Sequence, residues 1–377
     1  MRGSVAKKGK RWYPRYYIGK DENGKWIQRW GKGCDTKSEA EKLLRRYLNE
    51  VENTYERKAD NSSVEAFLQY WLRTYCEPRL AANTVRGYRV NIEKHIIPYI
   101  GNIRLNALAP RDIQKLYERL QEKGLSNTSI RYVHNNLHKA LSYAVKQEVI
   151  FRNPADLVDA PVVDRYDADT LSPDAVKRLL SVCASSEIYV PVALAVTLGL
   201  RRGEALGLSW NDVDFANDTV TIRHSASFCN SGITLHDTKT KSSRRTLTLP
   251  AFTRCVLEDA LIKQQSAISQ YGSAYNTLQL VCCRSDGKPL TSCCLHHAYK
   301  TALHDAGLPS IRFHDLRHSY ATLMLRSAVP AKIVSSILGH SSIGITLDTY
   351  SHVAPDMQAV AVDAIDGILD ADKRKHK

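Results

Sequence analysis

The spacing of apolar residues changes twice along this 377-residue chain, so no single repeating architecture accommodates it. In the first 60 residues, aromatic-rich runs at 11–19 and 25–32 flank an Asp-Glu-Asn-Gly stretch, which is a strong hairpin signal. From residue 61 to residue 160 the apolar residues recur at helical spacing, and beyond them short strand patterns mix with further helices. The sequence therefore predicts a multidomain α+β protein.

The charge of the chain is as uneven as its hydrophobic pattern. The formal net charge is +14, of which residues 1–60 carry +7, residues 61–160 carry +5 and residues 161–377 carry +2. A basic excess of this size favours a polyanionic partner such as DNA.

The composition argues against a membrane protein and against a disulfide scaffold. The most apolar uncharged stretch, 188–200, has 13 residues and contains a proline, whereas a spanning helix needs about 20 apolar residues. The basic N-terminus lacks the apolar run of a secretory signal, and the nine cysteines show no small-scaffold spacing. We therefore predict a cytoplasmic protein with reduced thiols and no membrane partner.

Residues 1–60 are predicted to form a small three-stranded sheet with a helix on one face. Ser38 and Glu41 make a capping box at the start of that helix. Three of the five tryptophans lie in the two strand runs among basic residues. Such a sheet either lies in a groove of DNA or encloses an aromatic core beneath a solvated basic face. The candidate DNA-binding residues here are Lys10, Arg11, Arg15, Lys25 and Arg29.

Residues 61–162 are predicted to form a bundle of four helices. Start signals for these helices stand at Ser62, Asn83, Pro110 and Ser126. Four basic residues lie off the apolar stripes, where they form either a solvated face or contacts to DNA phosphates. These candidates are Arg86, Arg89, Arg131 and Lys139. Residues 164–169 lack periodicity and predict a linker, which places the boundary near residue 162.

Residues 163–377 are predicted to be mainly helical with a small sheet, and they contain a series of charged motifs. An apolar helix ends in GLRRGE, and TKTKSSRR then lies on a turn before an alternating strand. His314 and Arg317 in HDLRH are three residues apart, so on a helix they would share one face. His340 follows a glycine at a helix end, and Tyr350 comes ten residues later. Taken singly, each residue has an ordinary structural explanation.

The order of these motifs is more informative than any one of them. An arginine, a lysine turn, His-x-x-Arg, Gly-His and a tyrosine in this sequence resemble the catalytic domain of the tyrosine recombinases. Among these, the chain looks most like the integrases of phages and integrative mobile elements. The resemblance implies an AP2-like arm-binding domain at 1–60, a SAM-like core-binding domain at 61–162 and a catalytic domain at 163–377.

The resemblance also implies a role for each motif residue. A tyrosine attacks the scissile phosphate, two arginines bind it, two histidines complete the site, and a lysine protonates the leaving oxygen. The matching residues are Tyr350, Arg201, Arg317, His314, His340 and Lys239, with Lys241 on the same turn as the alternative lysine. Because two guanidiniums neutralise a phosphate without a metal, we expect neither a metal nor another cofactor.

By resemblance, the function is site-specific recombination that integrates and excises a mobile element through a 3′-phosphotyrosine. The implied partners are double-stranded DNA with core and arm sites, further copies of the chain in a synaptic tetramer, an excisionase and a DNA-bending protein. The implied location is the bacterial cytosol, at the nucleoid.

Two other functions remain open at this point. A type IB topoisomerase shares the chemistry but relaxes supercoils without exchanging partners, and a DNA-binding regulator would need no ordered catalytic residues. A zinc site is also conceivable at the pairs 282–283 and 293–294, near two histidines. Because adjacent cysteines point apart and the usual C-x₂₋₄-C spacing is missing, we predict no metal there.

Overall fold

The computed structural model describes residues 3–20, 26–58, 62–163, 169–229, 232–237, 244–272, 275–349 and 365. The chain divides into two compact units, Met1–Arg165 and Tyr166–Lys377. Helices predominate in both, and the sheets are small and antiparallel, so the predicted mixed fold class is confirmed. Among the described residues, no helix has the length and apolar character needed to cross a bilayer.

The first unit opens with a three-stranded antiparallel sheet of β1 (Gly3–Lys8), β2 (Arg11–Lys20) and β3 (Trp26–Trp30), in that order. Helix α1 (Lys37–Lys58) covers one face of this sheet. Its inner residues Ala40, Leu44 and Leu48 are buried, as their helical spacing predicts.

The capping residues of α1 differ from the prediction. Thr36 Oγ1 accepts a hydrogen bond from the Glu39 N–H at 3.2 Å, and the Glu39 carboxylate accepts the Thr36 N–H at 3.4 Å. The capping box therefore lies two residues before Ser38 and Glu41. The sheet fixes this start, because Cys34 still pairs with Trp12 in an antiparallel bridge.

The rest of the first unit is a helical bundle. Its helices are α2 (Val64–Trp71), α3 (Ala82–Asn91), α4 (Ile97–Ile100), α5 (Pro110–Glu122) and α6 (Asn127–Lys146), and π-helical turns at Leu72–Cys76 and Ile92–Ile96 extend α2 and α3. Trp71, Leu116 and Leu137 are almost fully buried in a single core. The cap of α2 is Ser63, not the predicted Ser62, and its Oγ accepts the Ala66 N–H at 3.1 Å.

The second unit combines helices with two small sheets. Its helices are α7 (Pro173–Cys183), α8 (Tyr189–Leu198), α9 (Arg202–Leu206), α10 (Ala251–Tyr271), α11 (Ser292–Asp305), α12 (Asp315–Arg326), α13 (Ala331–Leu338) and α14 (Ile343–Thr349). Strands β4 (Val213–Asp214), β5 (Thr219–Ile222) and β8 (Arg245–Thr248) form one sheet in the order β4-β5-β8. Strands β6 (His224–Cys229) and β7 (Gly232–Asp237) form the other. The sequence did not predict β6 as a separate strand.

Helix α8 is buried along most of its length, and its C-terminal end defines one wall of the candidate site. Gly199 terminates the helix at φ +62°, a left-handed conformation that favours glycine. A Cβ there would lie 2.6 Å from Leu338 Cδ2 and 2.8 Å from Tyr320 Cδ1, so a larger residue would require these two buried side chains to shift. Gly339 terminates α13 in the same way at φ +65°.

Candidate active site

Arg317 donates hydrogen bonds to the C-terminal ends of both α8 and α13. From the first turn of α12 its Nη1 donates to the Gly199 carbonyl at 2.8 Å, and its Nη2 donates to the Leu338 carbonyl at 2.7 Å. The residue is only 2% exposed. Helix C-termini carry partial negative charge and unpaired carbonyls, so a buried guanidinium is stabilised between two of them.

Three arginines bind three successive carbonyls at the end of α13. Arg245 Nε donates to Ile337 at 2.5 Å, Arg317 Nη2 to Leu338 at 2.7 Å, and Arg201 Nη2 to Gly339 at 3.2 Å. The arginines come from β8, from α12 and from the residue preceding α9. This "arginine cluster" of Arg201, Arg245 and Arg317 concentrates positive charge immediately before His340.

A buried carboxylate holds two members of the arginine cluster together. Glu204 on α9 is 3% exposed, and it accepts the Arg201 N–H at 3.0 Å and Arg201 Nη1 at 2.7 Å. Arg245 Nη2 donates to the same carboxylate at 2.9 Å. Burial alone would raise the pKa of Glu204, but the hydrogen bond and charge of Arg245 and the charge of Arg201 outweigh burial and lower it. Glu204 is therefore an anion that neutralises part of the cluster.

Two histidines border the arginine cluster. His314 occupies the N-cap position of α12, which begins at Asp315. Its ring lies edge-to-face with that of His318, with 5.2 Å between the ring centroids. His340 Nδ1 lies 2.8 Å from Thr346 Oγ1. Desolvation together with the charges of neighbouring residues, Arg201 and Arg317 among them, lowers the pKa of both histidines to about 4. Both imidazoles are neutral at pH 7 in the DNA-free protein.

These histidines should make the free energy of unfolding depend on pH. His314 and His340 have a pKa near 6.5 in the unfolded chain and about 4 in the folded chain, so the unfolded chain binds more protons between these values. The protein is therefore expected to lose stability as the pH falls from about 6.5 to about 4. Urea unfolding at a series of pH values measures this slope, and His340→Gln should make it shallower. An unchanged slope in that variant would contradict the lowered pKa of His340.

The structure brings four of the predicted catalytic residues to one place, namely Arg201, His314, Arg317 and His340. Lys239, its alternative Lys241 and Tyr350 lie outside the described residues. Helix α14 ends at Thr349, directly before the tyrosine position. The roles that the resemblance assigns to these four residues stay predictions.

Sequence reasoning did not assign a role to Arg245 or Glu204, although both carried a signal. Arg245 and Leu247 are two residues apart on β8, and Leu247 is buried. Since alternate residues of a strand lie on the same face, the sequence pattern places Arg245 on the inner face of β8. An arginine on an inner face requires a carboxylate partner. Glu204 stands three residues after Arg201, which is the spacing of a helix-start pair.

The DNA-binding candidates of the N-terminal sheet have exposed or partly exposed positions. Lys10 lies on the β1–β2 turn, Arg11 lies 3.3 Å from Asp35, and Arg15 donates to Ser4 Oγ at 3.1 Å. Arg29 is exposed on β3, whereas Lys25 lies outside the described residues. The same strand exposes Trp26 and Trp30, so β3 presents both aromatic and basic groups to solvent.

The candidates of the helical bundle mostly contact protein groups. Arg89 pairs with Glu77 at 2.6 Å, Arg131 donates to the Pro161 carbonyl at 2.9 Å, and Lys139 donates to the Tyr88 hydroxyl at 3.1 Å. Arg86 is exposed and lines a groove of about 700 Å³ between α3 and α6. A phosphate contact by Arg89, Arg131 or Lys139 would have to replace or share its present partner.

The cysteine pairs differ in burial. Cys282 is buried and Cys283 partly buried, while Cys293 and Cys294 are exposed on α11. Burial raises the pKa of Cys282 and of Cys283, which keeps both thiols protonated at neutral pH. In the part of the chain that the structure describes, no three His, Cys, Asp or Glu side chains are grouped as a metal site.

Models of known protein families match all three parts of the chain. The phage integrase family model matches residues 169–357, just over half of the chain. The N-terminal SAM-like domain of phage integrases matches 63–121, and the arm DNA-binding domain matches 4–51.

Individual proteins match over nearly the full length. A tyrosine recombinase XerC-like protein of Caldanaerobacter subterraneus is 29% identical across 97% of this chain and 98% of its own length. The ICEBs1 integrase of Bacillus subtilis is 26% identical across 89% of this chain and 91% of its own length.

Solved structures share the fold at lower sequence identity. The Tn1549 transposon integrase in complex with transposon right end DNA has a TM-score of 0.67 at 21% identity, covering 79% of this chain and 99% of its own. A lambda integrase dimer bound to a COC′ core site has a TM-score of 0.61 at 15% identity, covering 92% and 94%.

Proposed function

Because this chain belongs to the phage integrase family of tyrosine recombinases, we propose that it integrates and excises a mobile DNA element through a covalent 3′-phosphotyrosine at Tyr350. The chain is a site-specific DNA recombinase. The observation that best supports the proposed chemistry is the convergence of Arg201, Arg317, His314 and His340 at the facing ends of α8 and α13.

The arginines bind the scissile phosphate. A phosphodiester resists attack by an anionic nucleophile, and the pentavalent transition state gathers additional negative charge. Guanidiniums stay protonated and offer fixed pairs of donors, so they stabilise that charge without needing a metal or ATP. Their hydrogen bonds to helix-end carbonyls and to Glu204 hold them in place before DNA arrives, so little reorganisation is required at the reaction step.

The histidines and the lysine move protons. A tyrosine hydroxyl has an ordinary pKa of about 10 and must lose its proton on attack, which a neutral histidine can accept. His314 and His340 are neutral at pH 7 before DNA binds, and a bound phosphate would offset the arginine charges that help to lower their pKa. We assign Lys239 as the general acid that protonates the leaving 5′ oxygen, a contribution typically of about 10²- to 10⁴-fold.

The covalent intermediate conserves the energy of the broken bond. The tyrosine oxygen forms a bond to phosphorus as the bond from phosphorus to the 5′ oxygen breaks. The 5′ hydroxyl of a partner strand then attacks the phosphotyrosine, releases the tyrosine and restores a phosphodiester. No net phosphodiester bond is lost in the exchange.

The remaining parts of the chain supply DNA contacts in this proposal. Residues 1–60 bind arm sites, residues 61–162 bind the core site, and residues 163–377 carry out strand exchange in a synaptic tetramer. The family models at 4–51, 63–121 and 169–357 support this division. A lambda integrase tetramer bound to a Holliday junction, with a TM-score of 0.59, has the same fold. An excisionase and a DNA-bending protein complete the proposed partners.

A trapping experiment tests this function. The purified chain is incubated with radiolabelled, nicked duplexes made from the junctions of the element that encodes it, so that the nicked fragment diffuses away after cleavage. We expect a labelled protein–DNA adduct that survives denaturation, and recombinant plasmids when two intact sites are supplied. Relaxation of any supercoiled plasmid without exchange of partners would instead indicate a topoisomerase, and binding without an adduct would indicate a regulator.

A further inference from the structure

Arg245 belongs to the arginine cluster but lies outside the set of residues assigned to the reaction. It is the first residue of β8, and its backbone pairs with Ile222 of β5. Its side chain is 7% exposed. A strand therefore fixes its backbone, while its guanidinium lies among groups of the candidate active site.

The contacts of this side chain link three elements. Nε donates to the Ile337 carbonyl of α13 at 2.5 Å, and Nη2 and Nη1 lie 2.9 Å and 3.3 Å from the two oxygens of Glu204 on α9. The two-point contact with the carboxylate restricts both the position and the rotation of that group, as the planar fork of arginine allows and a lysine would not.

The other side of Glu204 faces Arg201. The carboxylate accepts the backbone N–H of Arg201 at 3.0 Å and its Nη1 at 2.7 Å. Arg245, Glu204 and Arg201 thus form a continuous series of ion pairs that begins on β8. It ends at Arg201, which binds the scissile phosphate in the proposed function. If Arg245 were removed, the buried Glu204 carboxylate would keep its ion pair with Arg201 but lose the two-point contact that fixes its orientation.

From this geometry we propose that Arg245 is a positioning residue, which fixes the Glu204 carboxylate and thereby orients the Arg201 guanidinium for the scissile phosphate. The inference rests on the proposed function, because it requires Arg201 to bind that phosphate. Arg245 also follows directly after residues 238–244, which include Lys239 and Lys241. The experiment therefore separates an effect on the phosphate-binding arginine from an effect on the lysine.

Single-turnover cleavage of the nicked substrate by Arg245→Gln is the first measurement. We expect the rate of adduct formation to fall about 10- to 100-fold, the cost of a catalytic group displaced by about an ångström. Arg245→Lys keeps the positive charge but not the planar pair of donors, so its rate of adduct formation should fall less. This variant replaces Arg245→Gln in the test if the glutamine variant does not fold. Arg254→Gln removes an arginine of the same unit outside the cluster and should cleave at the wild-type rate.

The second measurement replaces the leaving 5′ oxygen by sulfur. A thiolate leaves without protonation because the pKa of a thiol is near 8.5, so this substrate bypasses the general acid. The tyrosine oxygen bonds to phosphorus, the bond from phosphorus to sulfur breaks, and sulfur departs with the electron pair. We expect the defect of Arg245→Gln to persist with the sulfur substrate, whereas the defect of Lys239→Ala should largely disappear. Rescue of Arg245→Gln by sulfur would overturn the inference.

A pH profile provides a readout that a purely structural role would not change. In Arg245→Gln, Glu204 loses the partner that contributes most to lowering its pKa, so burial should raise that pKa. The ratio of wild-type to variant rate should then be larger at pH 6 than at pH 8. Equal cleavage rates for the wild-type protein and Arg245→Gln, or a rate ratio that does not change with pH, would overturn the inference about Arg245. The proposed function would still stand. A wild-type chain that forms no adduct would instead remove the proposed function.

Discussion

The substitution Tyr350→Phe is expected to abolish the covalent protein–DNA adduct while leaving DNA binding nearly unchanged. The substitution removes one oxygen atom, and that atom is the one that must bond to phosphorus. Since the arginines and histidines of the site cannot replace this nucleophile, the rate should fall below detection, a larger effect than loss of any single stabilising donor. The measurement is the labelled adduct on a denaturing gel, together with the Kd for an intact core-site duplex.

Three buried or partly buried tyrosines of the second unit are poor substitutes for this nucleophile. Burial raises the pKa of Tyr275, Tyr299 and Tyr320, so these hydroxyls stay protonated more firmly than an ordinary tyrosine. The Tyr299 hydroxyl is buried and has no hydrogen-bond partner among the described residues. Tyr299→Phe is therefore a suitable control, because it removes an oxygen without breaking a hydrogen bond to a described residue, and it should form adduct at the wild-type rate. Adduct formation by Tyr350→Phe would refute the assignment.

Local sequence signals predicted many helices but could not always place their first residue. Pro110 and Ser126 mark the starts of α5 and α6, as predicted. At α1 and α2, neighbouring residues compete for the capping position, and distant backbone contacts decide between them. Ser63 pairs with Arg104 in an antiparallel bridge, which keeps the backbone extended until α2 begins at Val64. That bridge joins residues far apart in the chain and leaves no trace in the local pattern.

The candidate site shows the same division between local and distant information. The order of the motifs identified Arg201, His314, Arg317 and His340 as members of one site, through resemblance to a family. The partners that hold them could not be read in this way. Arg245 reaches Glu204 across 41 positions and Ile337 across 92, and these contacts exist only because the register of β8 and the end of α13 bring the groups together.

Loss of Arg317 is expected to damage both catalysis and folding, which distinguishes it from loss of Tyr350. Its guanidinium is the group that pairs the carbonyls of Gly199 and Leu338 at the facing helix ends. Leaving a buried carbonyl unpaired costs about 1–3 kcal/mol, so Arg317→Gln should lower the free energy of unfolding by about 2–5 kcal/mol. The cleavage rate of Arg317→Gln should also fall, because removing a preorganised donor from a transition state costs about 10²- to 10³-fold in rate. Misplacement of the two helix ends should lower the rate further.

Urea unfolding and single-turnover cleavage separate the two effects. Arg326→Gln changes an exposed arginine on the last turn of the same helix and should lower the free energy of unfolding far less than Arg317→Gln. Arg317→Lys keeps a positive charge but cannot bridge both carbonyls, so it should recover part of the stability and little of the cleavage rate. If Arg317→Gln kept the wild-type free energy of unfolding, the expected stability loss would be wrong. The carbonyls of Gly199 and Leu338 would then not depend on the guanidinium for their hydrogen bonds. A variant with wild-type cleavage would show that Arg317 does not bind the scissile phosphate.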